Sequence, residues 1–249
     1  MMPRAMILPL AALIAGLLAA ASAAQTNGIQ PGRRAGPPAE PVVVELFTAQ
    51  GCSGCPDANR VFETLSARPG VIALTYPVDY WDYLGWADTF ARPEFTRRQQ
   101  SYGQALRLRA VSTPQVIIDG RRVASAAREA ELTLAVDEEA ARRDYPPEIE
   151  FRQDGKRVGV GSGTVPAGGA DVVAVTYVAG SQVVQVGGGD NRGKAVRQVN
   201  VVRRIIRLGD WTGRPALFDL PATTADTESV VILVQSRTDR RILAAAVPD

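Results

Sequence analysis

The sequence predicts a mixed α/β half followed by an all-β half, and three observations carry this reading. Between residues 42 and 143, β-branched apolar runs alternate with helix-compatible stretches. After Pro146-Pro147 the texture changes to short β-rich runs separated by Gly and Asp. The only two cysteines, Cys52 and Cys55, stand where the first apolar run gives way to the first expected helix.

Residues 42–47 are nearly continuous in apolar character, the pattern of a buried strand. Pro56 suits the first turn of the next helix. Val61, Phe62 and Leu65 give that helix an apolar face, and Arg68-Pro69-Gly70 ends it. Residues 71–78 read as a second strand, residues 80–88 as an aromatic loop, and residues 93–108 as a polar, helix-compatible stretch. A hairpin is expected over 116–119 and 122–124, with Asp119-Gly120 in its turn. Residues 127–143 read as a helix that buries Leu132, Leu134 and Val136. In the second half, strands are expected at 148–152, 158–160, 172–178, 182–186, 196–208, 230–235 and 242–247. Asp154-Gly155 and Gly187-Gly188-Gly189 lie in turns between them. Short strands at this spacing suggest an antiparallel sandwich.

Arg4, the apolar run 5–20 and Ala21-Ser22-Ala23 have the three-part form of an export signal. The alternative, a membrane anchor, is disfavoured because the run is short for a span and the cleavage site follows at once. The expected organisation is a signal peptide over 1–23, a flexible Gly/Pro-rich tether over 24–40, an α/β domain over 41–145 and a β-sandwich-like domain over 146–249. The mature chain would be periplasmic or secreted, with no stable membrane span after signal removal.

Composition excludes several function classes. With no histidine in the chain, Ser-His-Asp and Cys-His hydrolases and His-bound zinc or copper drop out. The three methionines are Met1, Met2 and Met6, inside the expected signal, so the soft thioether ligands of copper(I) sites are missing too. No metal site and no cofactor is expected. A net charge of +2 with both signs dispersed, and no basic block interleaved with aromatics, gives nucleic-acid binding no support.

The sequence Cys52-Ser53-Gly54-Cys55 carries the chemistry. At a strand-to-helix junction, unpaired N–H groups of the first turn favour a thiolate on the first cysteine. The second, one turn on, can attack a mixed disulfide and release the substrate. In an oxidising compartment the pair could instead be an inert bridge. A loop this small contributes little entropic stabilisation, however, so redox chemistry is the preferred reading.

The order strand, helix, strand, helix, hairpin, helix, with the dithiol after the first strand, resembles the thioredoxin fold. The resemblance implies a thioredoxin-like N-terminal domain with a cis-proline at Thr113-Pro114, opposite the dithiol, whose Thr113 backbone pairs with an extended substrate segment. The alternative is an ordinary trans proline entering a strand. Glu45 resembles the buried acid that assists proton transfer in thioredoxins, although it stands one residue further from the first cysteine. A strand acid turned to solvent is the other reading. Gly51 and Ser53-Gly54 depart from the Trp and Gly-Pro common in that family, and no imidazole acidifies Cys52.

Together, Val44-Glu45-Leu46-Phe47-Thr48, Gln50-Gly51-Cys52-Ser53-Gly54-Cys55-Pro56, Val78-Asp79-Tyr80-Trp81-Asp82-Tyr83-Leu84-Gly85-Trp86, Thr113-Pro114-Gln115, Asn191-Arg192-Gly193, Asn200-Val201-Val202-Arg203 and Leu208-Gly209-Asp210-Trp211 are similar to a bacterial family of exported proteins, domain of unknown function 1223.

Tyr80, Trp81, Tyr83 and Trp86 read either as a wall of the substrate groove or as a packed loop covering the sheet edge. Asp190-Asn191-Arg192-Gly193 reads as a Gly-flanked Asx turn rather than a cation site or a partner contact. Arg203, Arg204 and Arg207 read as the solvated face of a strand. The preferred function is a thiol–disulfide oxidoreductase acting on protein thiols, served by a redox partner. In it Cys52 attacks, Cys55 resolves, Glu45 moves a proton, Pro114 and Thr113 orient the substrate, and Trp81, Tyr83 and Trp86 contact it. The alternative is a non-enzymatic binding or scaffold protein that engages a partner through its β domain.

Overall fold

The computed structural model describes residues 40–142, 146–222 and 227–248. The expected signal, the expected tether up to residue 39 and the expected boundary at Tyr145 lie outside the described residues. The first half follows the expected order: β1 (Val42–Thr48), α1 (Cys55–Ser66), β2 (Val71–Pro77), α2 (Pro93–Ala105), β3 (Gln115–Ile118), β4 (Arg122–Ala124) and α3 (Glu129–Ala140). β1 pairs in parallel with β2, from Val42↔Val71 to Thr48↔Pro77, and antiparallel with β3.

The period-2 alternation of β1 distributes its side chains over two cores. Val42, Val44 and Leu46 pack with Ala58, Val61, Phe62 and Leu65 of α1 and with Leu132, Ala135 and Val136 of α3. Val43 and Phe47 face the other way, toward Phe95 and Tyr102 of α2. In α3 the buried residues recur at i, i+3 and i+4, which leaves Leu134 on the outer side, 58% exposed rather than buried as expected.

The second half supplies β5 (Ile149–Phe151), β6 (Arg157–Val160), β7 (Ala170–Gln185), β8 (Ala195–Trp211), β9 (Ala216–Asp219), β10 (Glu228–Ser236) and β11 (Ile242–Ala246). These strands do not form a separate module. Four of them extend the first sheet, giving eight strands in the order β11-β10-β7-β8-β2-β1-β3-β4. The seam is parallel pairing of β2 with β8 at Thr75↔Val201. Across it, Thr75 Oγ1 donates to the Val199 carbonyl at 2.5 Å and Asn200 Nδ2 to the Ala73 carbonyl at 3.0 Å. The described residues form one compact unit.

A sandwich exists, but one of its layers is this shared sheet. The other is the small sheet β5-β6-β9, and Val158, Val160, Val172, Trp211, Ile232 and Val234 fill the space between the layers. The runs expected at 172–178 and 182–186 are one strand. Their interruption at Ala179-Gly180 is a bulge, with register shifts and a Gly180 φ of 78°, rather than a turn. β9, four residues long, escaped the sequence reading.

The sheet curls so that its last strand returns to its first half. The Ile242 N–H donates to the Asp119 carbonyl at 2.9 Å, and the Ala245 N–H to Glu40 Oε1 at 2.8 Å. Gly120 lies at this contact with φ 67°, and a Cβ there would stand 2.1 Å from the Arg240 carbonyl oxygen, so only glycine fits.

A buried ionic network ties the halves together from within. Arg98 of α2, whose side chain is 4% exposed, donates from Nε to Glu45 Oε1 at 2.7 Å. Its Nη1 donates to Gln235 Oε1 of β10 at 3.1 Å and its Nη2 to the Tyr102 hydroxyl at 2.9 Å. Tyr102 in turn donates to Glu45 Oε2, and Gln235 Nε2 donates to the Tyr102 hydroxyl at 2.8 Å. Burial works against the Arg98 charge, and Glu45 together with Tyr102 and Tyr76 more than offsets this, so the guanidinium is held above its usual range. The Tyr76 and Tyr102 phenols are pushed up, chiefly by burial, with Glu45 adding to it.

Removing one partner of a buried pair strands the other charge, at a cost of about 3–5 kcal/mol. Arg98→Met is therefore expected to lower the urea-unfolding free energy by that amount, and the double variant Glu45→Leu/Arg98→Met to recover more than half of the loss. The shared sheet predicts that fragments 40–142 and 146–249, expressed separately, lack cooperative thermal transitions, because each carries an unpaired edge where β2 meets β8. Two independent sharp transitions by calorimetry would refute this.

Candidate functional site

β1 ends at Thr48, and residues 49–54 carry the chain to α1, which opens at Cys55 with Pro56 in its first turn. Cys52 and Cys55 are disulfide-bonded, with Cα atoms 5.4 Å apart. Cys55 is fully buried and Cys52 is 3% exposed, whereas Ser53 and Gly54 between them are exposed. Cys52 Sγ lies 3.7 Å from the carbonyl oxygen of Thr113. The Thr113–Pro114 bond is cis. A Cβ on Gly54 would stand 3.6 Å from Pro114 Cδ, so the exposed tip of the dithiol loop faces this proline.

The aromatic loop is packed at two of its rings and open at a third. Trp81 Nε1 donates to Thr113 Oγ1 at 2.7 Å, and Trp86 Nε1 to Gln50 Oε1 at 2.9 Å. These two rings are built into the frame around the dithiol. Tyr83 is 79% exposed and projects from a single 3₁₀ turn, Asp82–Leu84. Cys52, Cys55, Thr113, Pro114 and Trp81 are thus brought together, with Trp86 bracing the same loop from behind. Glu45 is held elsewhere: both its oxygens are engaged by Arg98 and Tyr102, the arrangement of a structural ion pair. It is not turned to solvent.

Several residues of the site were not singled out from the sequence for this role. The Gln50 N–H donates to Asp88 Oδ2 at 2.7 Å, and Gln50 Nε2 to Thr89 Oγ1 at 2.9 Å. Burial raises the Asp88 carboxyl above its usual range, opposed by the N–H donors of Gln50 and Phe90. From the second half, the tip of the β7–β8 hairpin reaches the same loop. Asn191, fully buried, donates from Nδ2 to the carbonyls of Gln50 at 2.9 Å and Cys52 at 2.7 Å. The Asp190 N–H donates to the Gly51 carbonyl at 3.3 Å.

The expected Asx turn at 190–193 is therefore a bridge to the dithiol loop. Its readable signal was three consecutive glycines between two long β-rich runs, since glycine permits close backbone approach. A Cβ at Gly187 would lie 2.4 Å from the Trp86 ring, and one at Gly188 would lie 2.8 Å from the Gly85 carbonyl oxygen. The arginines of β8 also differ from a uniformly solvated face. Arg203 sits over the Phe90 ring at 4.7 Å, and Arg204 donates to the Ala222 carbonyl, while Arg207 lies in an outer ion pair with Asp171 at 3.0 Å.

Fold and site define a mixed α/β protein with a Cys-x-x-Cys disulfide at a strand-to-helix junction, enclosed by an aromatic loop and a glycine-tipped hairpin. Residues 43–235 match the family described as protein of unknown function (DUF1223), and the chain belongs to that family. It is similar to the crystal structure of protein AGR_C_4864 from Agrobacterium tumefaciens, with 30% identity, a TM-score of 0.69, and coverage of 85% of this chain and 95% of that one. It is also similar in fold to HBP35 of Porphyromonas gingivalis, with 13% identity, a TM-score of 0.54, and coverage of 86% and 76% of the two chains. No curated protein matches the chain.

The close approach of Gly187 to Trp86 gives a direct test. Gly187→Ala is expected to cost about 1–3 kcal/mol in urea unfolding with the disulfide intact, the range for overpacking, and to alter tryptophan fluorescence. Gly161→Ala, whose added Cβ would meet only ordinary contacts at 3.5 Å, should change stability by less than about 1 kcal/mol.

Proposed function

We propose that the protein is an exported thiol–disulfide oxidoreductase acting on protein thiols, with a thioredoxin-like arrangement in its first half. The observation that carries this reading is the Cys52–Cys55 pair at the start of α1, with Cys52 Sγ 3.7 Å from the Thr113 carbonyl and the Pro114 ring beside the loop tip. The order of β1, α1, β2, α2, β3, β4 and α3 supports the thioredoxin-like part. Export rests on Arg4, the apolar run 5–20 and Ala21-Ser22-Ala23.

The exchange needs no cofactor. In the reduced form, the Cys52 thiolate attacks one sulfur of a client disulfide; the Cys52–client S–S bond forms and the client's other sulfur leaves as thiolate. The Cys55 thiolate then attacks Cys52 Sγ. The Cys52–Cys55 bond forms, the mixed disulfide breaks, and the second client sulfur leaves as thiolate. Two electrons pass from the protein dithiol to the client; run in reverse, the same steps let the Cys52–Cys55 disulfide oxidise a client dithiol, and a redox partner resets the protein in either direction. The positive end of the α1 dipole favours a thiolate on Cys52. Ser53 and Gly54, being exposed, leave the approach to the loop tip open, and Tyr83 stands out in solvent as a contact for the client.

Near-complete burial of both cysteine residues favours a second reading, a binding protein whose bridge is inert. Trapping separates the two. Cys55→Ser should accumulate a mixed disulfide through Cys52 with exported proteins, resolved by dithiothreitol and visible on non-reducing gels, while Cys52→Ser should accumulate none. If Cys55→Ser traps nothing, and the wild-type bridge has a reduction potential far below the glutathione range, the oxidoreductase reading fails and the binding reading stands.

A further inference from the structure

We infer that Asn191, on the β7–β8 hairpin, is a positioning residue that sets the redox equilibrium of the Cys52–Cys55 pair by immobilising the peptide units that flank Gly51-Cys52. The role for clients rests on the oxidoreductase reading; the equilibrium itself does not.

An asparagine with no exposed surface must satisfy its amide inside the protein. Asn191 does so with a division of labour. Its Nδ2 has two hydrogens, which go to the carbonyls of Gln50 and Cys52. Its Oδ1 accepts from Lys194 Nζ at 3.2 Å, which fixes which end of the amide faces the loop. The Asp190 N–H takes the carbonyl between those two, that of Gly51. Three successive carbonyls of the dithiol loop are thus held by two successive residues of the hairpin tip. Gly189 closes the contact, since a Cβ there would stand 3.2 Å from Gly51 Cα.

Gly51 is the residue this arrangement constrains. Without a Cβ it is a free joint in the loop, and it immediately precedes Cys52. Fixing the carbonyls of residues 50, 51 and 52 fixes the peptide planes about that joint. Cys55 is already fixed by α1 and its burial. The reduced pair is therefore preorganised: Cys52 stays beside Cys55, the effective concentration of one sulfur at the other is high, and closure of the bridge is favoured. Freeing Gly51 gives the dithiol form conformations that the bridged form cannot use, which shifts the balance toward the dithiol.

The equilibrium is measured by incubating full-length protein in glutathione buffers. There, two glutathione thiols reduce the bridge to the dithiol and leave as one oxidised glutathione, with acid quenching and thiol labelling as the readout. Asn191→Ala is expected to move the constant about tenfold toward the dithiol, equivalent to about 30 mV toward a more oxidising couple. Asn191→Asp, similar in shape but unable to donate to the carbonyls when ionised, should shift it at least as far. The exposed Lys194 offers a variant without a buried change: Lys194→Met should shift the constant in the same sense by about two- to threefold. Urea unfolding of each oxidised variant checks the fold. A purely architectural Asn191 would lower the stability of both redox forms alike and leave the constant within twofold of wild type. That result in folded Asn191→Ala overturns the inference, as does an unchanged constant in Lys194→Met should Asn191→Ala not fold. Shifted constants with no client trapped by Cys55→Ser would sink the oxidoreductase reading and leave this one standing; trapped clients with unshifted constants would do the reverse.

Discussion

Arg98 is the group on which the rest of the structure depends. A guanidinium with almost no exposed surface persists only if its charge is balanced and its N–H groups are taken up. Here the partners come from three elements: Glu45 from β1, Tyr102 from α2 itself, and Gln235 from β10. The planar fork of the side chain dictates where each must stand. Seating Arg98 therefore fixes α2 against the face of β1 that also carries Val43 and Phe47, and brings β10 over the same face. The Tyr76 and Tyr102 rings lie beneath the guanidinium, with its carbon 5.5 and 5.1 Å from their centroids. A network of this kind tolerates few alternatives, because any other packing leaves a buried charge without its partners.

The shared sheet has a consequence for the dithiol. In a chain whose second half were a separate module, the loop after β1 would be bounded only by its own neighbours. The β2–β8 seam instead runs the long β7–β8 hairpin alongside the first half, and its tip lands on residues 50–52. The loop is then gripped from two directions, by Trp86, Asp88 and Thr89 of the aromatic loop and by Asp190 and Asn191 of the hairpin. Those two grips touch each other through Gly187, Gly188 and Trp86, so the enclosure is continuous. Glycine at 187 and 188 leaves room for an indole and for a backbone carbonyl, a requirement of proximity rather than of turn geometry.

Much of the local structure was legible in the sequence because it depends on short-range periodicity. Val61, Phe62 and Leu65 mark the buried face of α1, and Asp119-Gly120 marks the turn between β3 and β4. The misreadings share a cause. Leucine's apolar side chain predicts a core place for Leu134, but its position on α3 turns it outward. Ala179-Gly180 was read as a break between strands, because a bulge and a turn look alike until the partner strand is known. β9 was too short, and too nearly polar at Asp219, to stand out from a loop.

What the sequence by itself determined is the chemistry: one pair of sulfurs at the end of a strand, no histidine to assist them, and an aromatic loop and a Thr-Pro step to stand near them. Those are properties of residue type and of spacing along the chain. Which groups enclose the sulfurs was decided only by the tertiary structure. Asn191 is 139 residues from Cys52 and meets it across the β2–β8 seam. Glu45 lies close in sequence to the cysteines and is committed instead to Arg98. Both outcomes follow from strand order and from the pairing of a buried charge, and neither has a local signature, because a hydrogen bond between distant segments leaves no periodicity in either.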